Sequence, residues 1–177
     1  ERYPRETPRW LFWAAGRADM ILKWPELFRA IVMDAGWQFV SIGLESGSDR
    51  VLNILGKGVT RAENDAAIDL INEIGDEQVR RGQPPVRIWA NLMQAIPGEE
   101  REDAYETLRM LARIKRCIPS YSWFTPNRGN VLGDQILTEG RALSDQQSRN
   151  PGGLSRVEGV DYGFFVDLMA GAYDDEV

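Results

Sequence analysis

The sequence predicts an α/β protein, a partial (βα) barrel of the TIM type with about four parallel βα units and a short C-terminal helical extension. Three observations predict it. Apolar, strand-like runs alternate with segments whose apolar residues recur at helical spacing. Within the strand-like runs, apolar and polar residues separate onto alternate positions. Polar side chains then gather just past the strand ends, where βα folds place their sites. Four strands in sequence order are too few to close a barrel, so the sheet is expected to be curved and open.

The elements follow in order. Arg9 to Ala15, RWLFWAA, is apolar and aromatic and reads as the first strand. In WPELFRAIVMDAG, residues Leu27, Phe28, Ile31, Val32 and Ala35 share a helical face, and Gly36 stops the helix. Trp37 to Gly43 is the second strand, and SDRVLNIL a short helix with Ser48 as N-cap. Thr60 and Glu63 stand at capping-box offset before Ala67, Leu70, Ile71 and Ile74, with Gly75 closing that helix and DEQVRRGQPP a loop. Val86 to Ile96 is the third strand. PGEEREDAYETLRMLARIKR is a helix with acidic residues in its first turn, as the helix dipole favours. Ser120 to Pro126 is the fourth strand. NRGNVLGDQILTEGRALSDQQSRNPGG reads as largely irregular, and DYGFFVDLMAGAYDD as a last helix. These elements predict two domains, residues 1–135 for the partial barrel and 136–177 for an irregular linker with an acidic helical tail.

Composition excludes several chemistries. The 177 residues are 43% hydrophobic, enough for one core, with no apolar run of membrane-spanning length. No histidine is present, which removes Ser-His-Asp and Cys-His catalysis and imidazole metal sites. The single cysteine, Cys117, excludes an internal disulfide and any site needing several thiolates. It is expected near a helix end as a small buried thiol. The net charge of −6 is concentrated after Val157, where six acidic residues meet no basic one. That pattern argues against a nucleic-acid surface and for a solvated tail. No signal-peptide pattern opens the chain, so a cytoplasmic location and no membrane partner are expected.

The chemistry-bearing stretch is VSIGLESGSDRVLNILGKG, residues 40–58. Val40, Ile42 and Leu44 share one strand face; Ser41, Gly43 and Glu45 share the other. In the third strand, Ile88, Leu92 and Ile96 oppose Trp89, Asn91 and Met93. A carboxylate and an amide thus fall on one face near the C-terminal strand ends. Two roles fit Glu45: a ligand-facing acid, or a solvated residue at a strand-to-helix turn.

GRADMILKWPELFRAIVMDAGWQFVSIGLESGSDRVLNILGKGVT, with MQAIPGEEREDAYETLRML and FTPNRGNVL, resembles the radical S-adenosylmethionine (SAM) enzymes. The likeness is to the branch shared by tRNA methylthiotransferases and cobalamin-dependent radical methylases and cyclases, from about Trp10 to Leu132. The resemblance implies a partial barrel that holds SAM over a [4Fe–4S] cluster and yields a 5′-deoxyadenosyl radical. It implies cofactor-binding roles for Gly43, Glu45 and Ser46, with the Glu45 carboxylate on the ribose hydroxyls. Lys57 would pair with the SAM carboxylate, Asn91 would lie near the ribose, Met93 and Ala95 beside the adenine, and Arg17 at a strand end. A carboxylate accepts two hydroxyl donors well and an ammonium neutralises a carboxylate, which suits one amino-acid-bearing nucleoside.

The sequence also departs from that family. It has no C-x3-C-x2-C loop for the cluster and no Gly-Gly-Glu-type turn. Ala95 and Glu100 stand where Gly and Thr are preferred, and Arg128 and Asn130 where Pro and Thr are usual. The expectation is therefore the C-terminal portion of a radical SAM core, inactive alone, whose parent carries the cluster ligands and admits a cobalamin domain. No metal ligand and no catalytic residue is assigned within this chain. The alternatives are a non-catalytic relative serving as a binding or scaffold module, and an unrelated barrel hydrolase using paired carboxylates, which needs a second acid near Glu45. Expected partners are a small-molecule substrate and, through the open edge of the first strand, a second copy.

Overall fold

The computed structural model describes residues 12–143 and 156–171. Four strands form one parallel sheet in sequence order: β1 (Phe12–Gly16), β2 (Trp37–Glu45), β3 (Arg87–Gln94) and β4 (Cys117–Trp123). This is the expected α/β sheet. β1 and β2 run parallel with Trp13 opposite Phe39 and Gly16 opposite Ile42, after an irregularity at Phe12. β1 is the edge, and Phe12 and Trp13 are exposed. Arg9, Trp10 and Leu11, expected to open this strand, lie outside the described residues, as does the acidic tail beyond Gly171.

The helices are α1 (Ala18–Lys23), α2 (Pro25–Asp34), α3 (Asp49–Ile54), α4 (Arg61–Arg80), α5 (Arg101–Leu111), α6 (Val131–Thr138) and α7 (Tyr162–Gly171). A two-stranded antiparallel ribbon joins β5 (Ala142–Leu143) to β6 (Arg156–Val157). None of the described helices is long and apolar enough to cross a membrane. The chain divides into two compact units. The first comprises the described residues up to Leu44 with Ala62–Asn91 and Met110–Ser120. The second comprises Glu45–Arg61, Leu92–Arg109 and the described residues from Tyr121 onward.

In the first unit the alternation expected for β2 is present: Val40, Ile42 and Leu44 are fully buried. Helix α4 buries Ala67, Ile68, Ile71 and Ile74, and its polar side chains are tied down. Asn64 Nδ2 donates to the Leu44 carbonyl at 3.1 Å, and the Val86 amide donates to Gln78 Oε1 at 2.7 Å. Asn72 bridges the turn after α5, donating to the Arg113 carbonyl and accepting from the Lys115 amide.

In the second unit one cluster joins Val51, Ile96, Phe124, Ile136 and Val157. Another joins Ala95, Ala104 and Phe165. Helix α7 is pinned to that second cluster by aromatic contacts, Tyr105 on Phe164 and Trp123 on Tyr162.

Five expectations are corrected. The helix expected to end at Gly75 continues to Arg80. Gly75 is buried in its middle, and a Cβ there would meet Arg116 Nη1 at 2.8 Å, so this glycine serves close packing rather than termination. On α2, Leu27 is 58% exposed and Ala35 is exposed, while Phe28 and Val32 carry the burial. Ser48 does occupy the N-cap of α3, but its side chain caps nothing, because its hydroxyl donates to Asp103 at 2.6 Å. Cys117 opens strand β4 instead of ending a helix. The stretch expected to be irregular contains α6, started by Asn130, whose Oδ1 accepts the Gly133 amide at 2.6 Å.

Candidate functional site

Glu45 is the last residue of β2 and has a positive φ of 61°. An L-residue in this region is uncommon and needs support from its surroundings. Its carboxylate accepts a hydrogen bond from Lys57 Nζ at 2.7 Å, across the length of α3. The two side chains are 18% and 19% exposed, so the pair is partly shielded yet reachable. The bare carboxylate and the ammonium of the sequence are therefore one ion pair at a strand end.

The three residues after Glu45 are held by α5. Thr107 has one hydroxyl proton, which it donates to the Asp103 carbonyl at 3.1 Å. It must then accept from its other partners, the Gly47 amide at 2.8 Å and the Ser46 hydroxyl at 3.2 Å. Ser46 Oγ in turn accepts the Ser48 amide at 3.1 Å. Ser46 is fully buried. Its hydroxyl thus shapes the loop that carries Glu45. A Cβ on Gly47 would fall on the Glu106 carbonyl and 2.7 Å from Thr107 Cα, so only glycine lets α5 approach this closely. Arg61 Nη1 donates to the Gly47 and Glu106 carbonyls, at 2.7 and 3.1 Å.

β3 is followed by a second left-handed residue, Ala95, at φ 58°. Ala95 is buried against Ala104 and Phe165, and Met93 packs against the cluster of Val51, Ile96 and Phe124. Beyond Ala95 the chain reverses at Pro97–Gly98, with the Glu99 amide donating to the Ile96 carbonyl at 2.8 Å. Glu99 Oε2 accepts the Ile96 amide at 3.1 Å. Burial, with the Asp103 carboxylate nearby, pushes the Glu99 carboxyl up to about 7, against the pull of the Ile96 and Ala95 amides and the Arg50 guanidinium. Burial also works against the Asp103 anion, but Arg50, Ser48 and the Glu100 amide outweigh it and hold that carboxyl below its usual range.

The first unit holds the other expected site residues. Asn91 Nδ2 donates to Ser41 Oγ at 2.8 Å, joining β3 to β2 on their polar face. Gly43 is half-buried within β2. Arg17 stands at the N-cap of α1 and is bound to Asp19 at 3.0 Å. A groove of about 430 Å3 in this unit is lined by Asp69, Asn72, Glu73, Asp76, Arg113 and Lys115. Its charges are paired, Arg113 with Asp69 at 2.7 Å, Lys115 with Asp76 at 2.6 Å and Glu73 with Arg29 at 2.6 Å, so it reads as a solvated ion-pair face.

Of the expected set, the structure joins Glu45 with Lys57 directly. Sequence reasoning missed Arg50, Glu99, Asp103 and Thr107. The available signal was the acidic first turn of α5, where Asp103 accepts the Glu100 amide at 2.8 Å in a capping arrangement.

No family model matches the chain. Over 99 residues it is 30% identical to tRNA-2-methylthio-N(6)-dimethylallyladenosine synthase of Klebsiella pneumoniae, covering 55% of this chain and 19% of that protein. The same enzyme of Cronobacter sakazakii is 29% identical over an equal length. The chain thus spans about a fifth of the curated relatives it matches. Among solved structures, Methanocaldococcus infernus Elp3 with an N-terminal deletion superposes with a TM-score of 0.55 at 14% identity, over 71% of this chain and 27% of that one. The cobalamin-dependent S-adenosylmethionine radical enzyme OxsB gives a TM-score of 0.48 at 18% identity, over 95% and 24%. The chain is thus similar in sequence, over 99 residues, to tRNA methylthiotransferases and shares its fold with part of Elp3.

Proposed function

We propose that this chain is the part of a radical SAM enzyme that holds the amino-acid-bearing nucleoside, with Glu45 and Lys57 as its two charged contacts. The observation that carries this reading is the 2.7 Å Lys57–Glu45 pair on a left-handed strand-end residue. The pair offers one ammonium and one carboxylate, the groups that a ligand carboxylate and ribose hydroxyls require. The resemblance adds Gly43, Asn91, Met93 and Arg17 as further cofactor-binding residues in the parent enzyme. Ser46 and the buried Ala95 shape the backbone around the ligand. Bound in the parent enzyme, SAM would supply the 5′-deoxyadenosyl radical for hydrogen abstraction from a small-molecule substrate in the cytoplasm.

The [4Fe–4S] cluster does not fit this chain's residues. Its one thiol, Cys117, is half-buried and pushed up to about 11 by burial. A cluster with SAM on its fourth iron needs three thiolates. Among the described residues no group of His, Cys, Asp and Glu could hold a metal ion. Cluster ligands, and any cobalamin, would come from elsewhere in the parent.

Without the iron as anchor, SAM gains only a few hydrogen bonds and one partly shielded ion pair, each about 1 kcal/mol net, so a millimolar Kd is expected. The test is an NMR titration of the chain with SAM, following the Lys57 and Glu45 side-chain resonances. Lys57→Ala and Glu45→Ala should each weaken binding about tenfold. Unchanged affinity in both would sink the reading and favour a scaffold role, which the inward-turned hydroxyls of Ser46, Ser48 and Thr107 suit. Anaerobic reconstitution of the chain with iron and sulfide should give neither stoichiometric iron nor 5′-deoxyadenosine.

A further inference from the structure

Glu45 and Ala95 share a feature that composition does not explain: each is a non-glycine residue in the left-handed region, one closing β2 and one following β3. That conformation is strained for an L-residue and persists only where neighbours over-determine it. The chain leaving each residue leads to the same side chain. After Glu45, the Ser46–Ser48 loop enters α3, which carries Arg50. After Ala95, the chain turns through Gly98 at φ 88°, and the Gly98 carbonyl accepts Arg50 Nη1 at 2.8 Å. The remaining guanidinium nitrogens, Nε and Nη2, bond to the Asp103 carboxylate. Asp103 also accepts the Ser48 hydroxyl at 2.6 Å and the Glu100 amide at 2.8 Å. Glu100 itself is a looser partner, 3.6 Å from Nη2 and well exposed.

We infer that Arg50 is a positioning residue: clamped on Asp103, its guanidinium ties the loop after β2 to the turn after β3 and so holds Glu45 and Ala95 in their left-handed conformations together. The planar fork explains the residue type. It donates in two directions at fixed geometry, to a carboxylate and to a carbonyl, which a single ammonium cannot do. The Arg50 side chain is 45% exposed, so it acts by directing bonds more than by filling space. The strut also gives the buried Asp103 charge its partners: the Ser48 hydroxyl, the Arg50 guanidinium and the Glu100 amide. This deepens the proposed function, because Glu45 would be aimed at ligand by a residue that never touches it.

The experiment uses the isotope-labelled chain with Arg50→Ala, Arg50→Lys and, as a control, Glu100→Gln. Cα and Cβ shifts and one-bond Cα–Hα couplings, which separate positive from negative φ, are read at Glu45 and Ala95. Arg50→Ala should move both residues toward extended values while the first unit, reported by Asn72 and Val86, stays unshifted. Arg50→Lys should keep the Asp103 pair and restore Glu45, but leave Ala95 displaced for want of the bond to the Gly98 carbonyl. Glu100→Gln should move neither. SAM affinity should fall about tenfold in Arg50→Ala, the penalty expected of a mis-set contact. Left-handed shifts retained at both residues in Arg50→Ala, or reproduced losses in Glu100→Gln, would overturn the strut. If Arg50→Ala does not fold, the split between Glu45 and Ala95 in Arg50→Lys decides alone. Absence of SAM binding to the unaltered chain would remove the proposed function, while the strut would still stand or fall on the backbone readout.

Discussion

Glu99→Gln should stabilise the chain, and by an amount that depends on pH. The Glu99 carboxyl sits in the turn after β3, raised from 4.5 to about 7, chiefly by burial and then by the Asp103 carboxylate. Below pH 4.5 the group is protonated in both folded and unfolded chains, and its contribution is fully present. Between 4.5 and about 7 the unfolded chain releases the proton while the folded one keeps it, so stability falls as pH rises through that window. A rise of this size is worth about 3 kcal/mol at most, at 1.36 kcal/mol per unit. Relaxation of the turn brings the expectation to about 2 kcal/mol. Glutamine keeps an oxygen to accept the Ile96 amide, which Glu99 Oε2 accepts at 3.1 Å, and removes the charge. Urea unfolding of both chains at pH 4.5 and pH 8 checks this. The difference in unfolding free energy should grow by about 2 kcal/mol from the lower pH to the higher, a shift in Tm of roughly 6 °C at pH 8. Equal differences at the two pH values would refute the argument, showing that the carboxyl is ionised in the fold without penalty.

Three further outcomes follow from close approach and burial. Gly47→Ala places a methyl group on the Glu106 carbonyl and should cost about 2 kcal/mol or more in chemical denaturation. Gly171→Ala, at the end of α7 with nothing within 4 Å, should be neutral or slightly stabilising, and an equal loss in both would contradict the close-approach argument. The Cys117 thiol, raised from 9.0 to about 11 by burial, should carry about a hundredfold less thiolate at pH 8 than an unperturbed one. Its alkylation by iodoacetamide, followed by mass spectrometry, should be slower by a similar factor in the folded chain than in urea; equal rates would show an accessible thiolate.

The parallel order of β1 to β4 was legible because period-2 patterning and βα alternation are local signals. Val40, Ile42 and Leu44 alternate with Ser41, Gly43 and Glu45 over consecutive positions of one strand, and no distant contact is needed to read them. The resemblance assigned Glu45 and Lys57 separate ligand contacts, and the ion pair between them appears only in the structure. The end of α4 was misread for a different reason. Gly75 looks like a stop when only neighbours in sequence are considered, and its function as a contact for Arg116 appears only when residues 41 positions apart meet.

Sequence alone determined the class of fold, the face on which polar residues collect, and the exclusion of histidine chemistry and multi-thiolate sites. Each of these depends on composition or on repeats a few residues long. Tertiary structure alone decided that Ser46 and Ser48 turn inward to Thr107 and Asp103, that Ala95 is covered by Phe165, and that Arg50 links two strand ends. A hydroxyl or guanidinium has several possible partners along the chain, and which it takes is set by the packing of α5 against the loop after β2. That packing depends in turn on the missing side chain of Gly47, a residue whose importance is invisible until the Glu106 carbonyl is brought beside it.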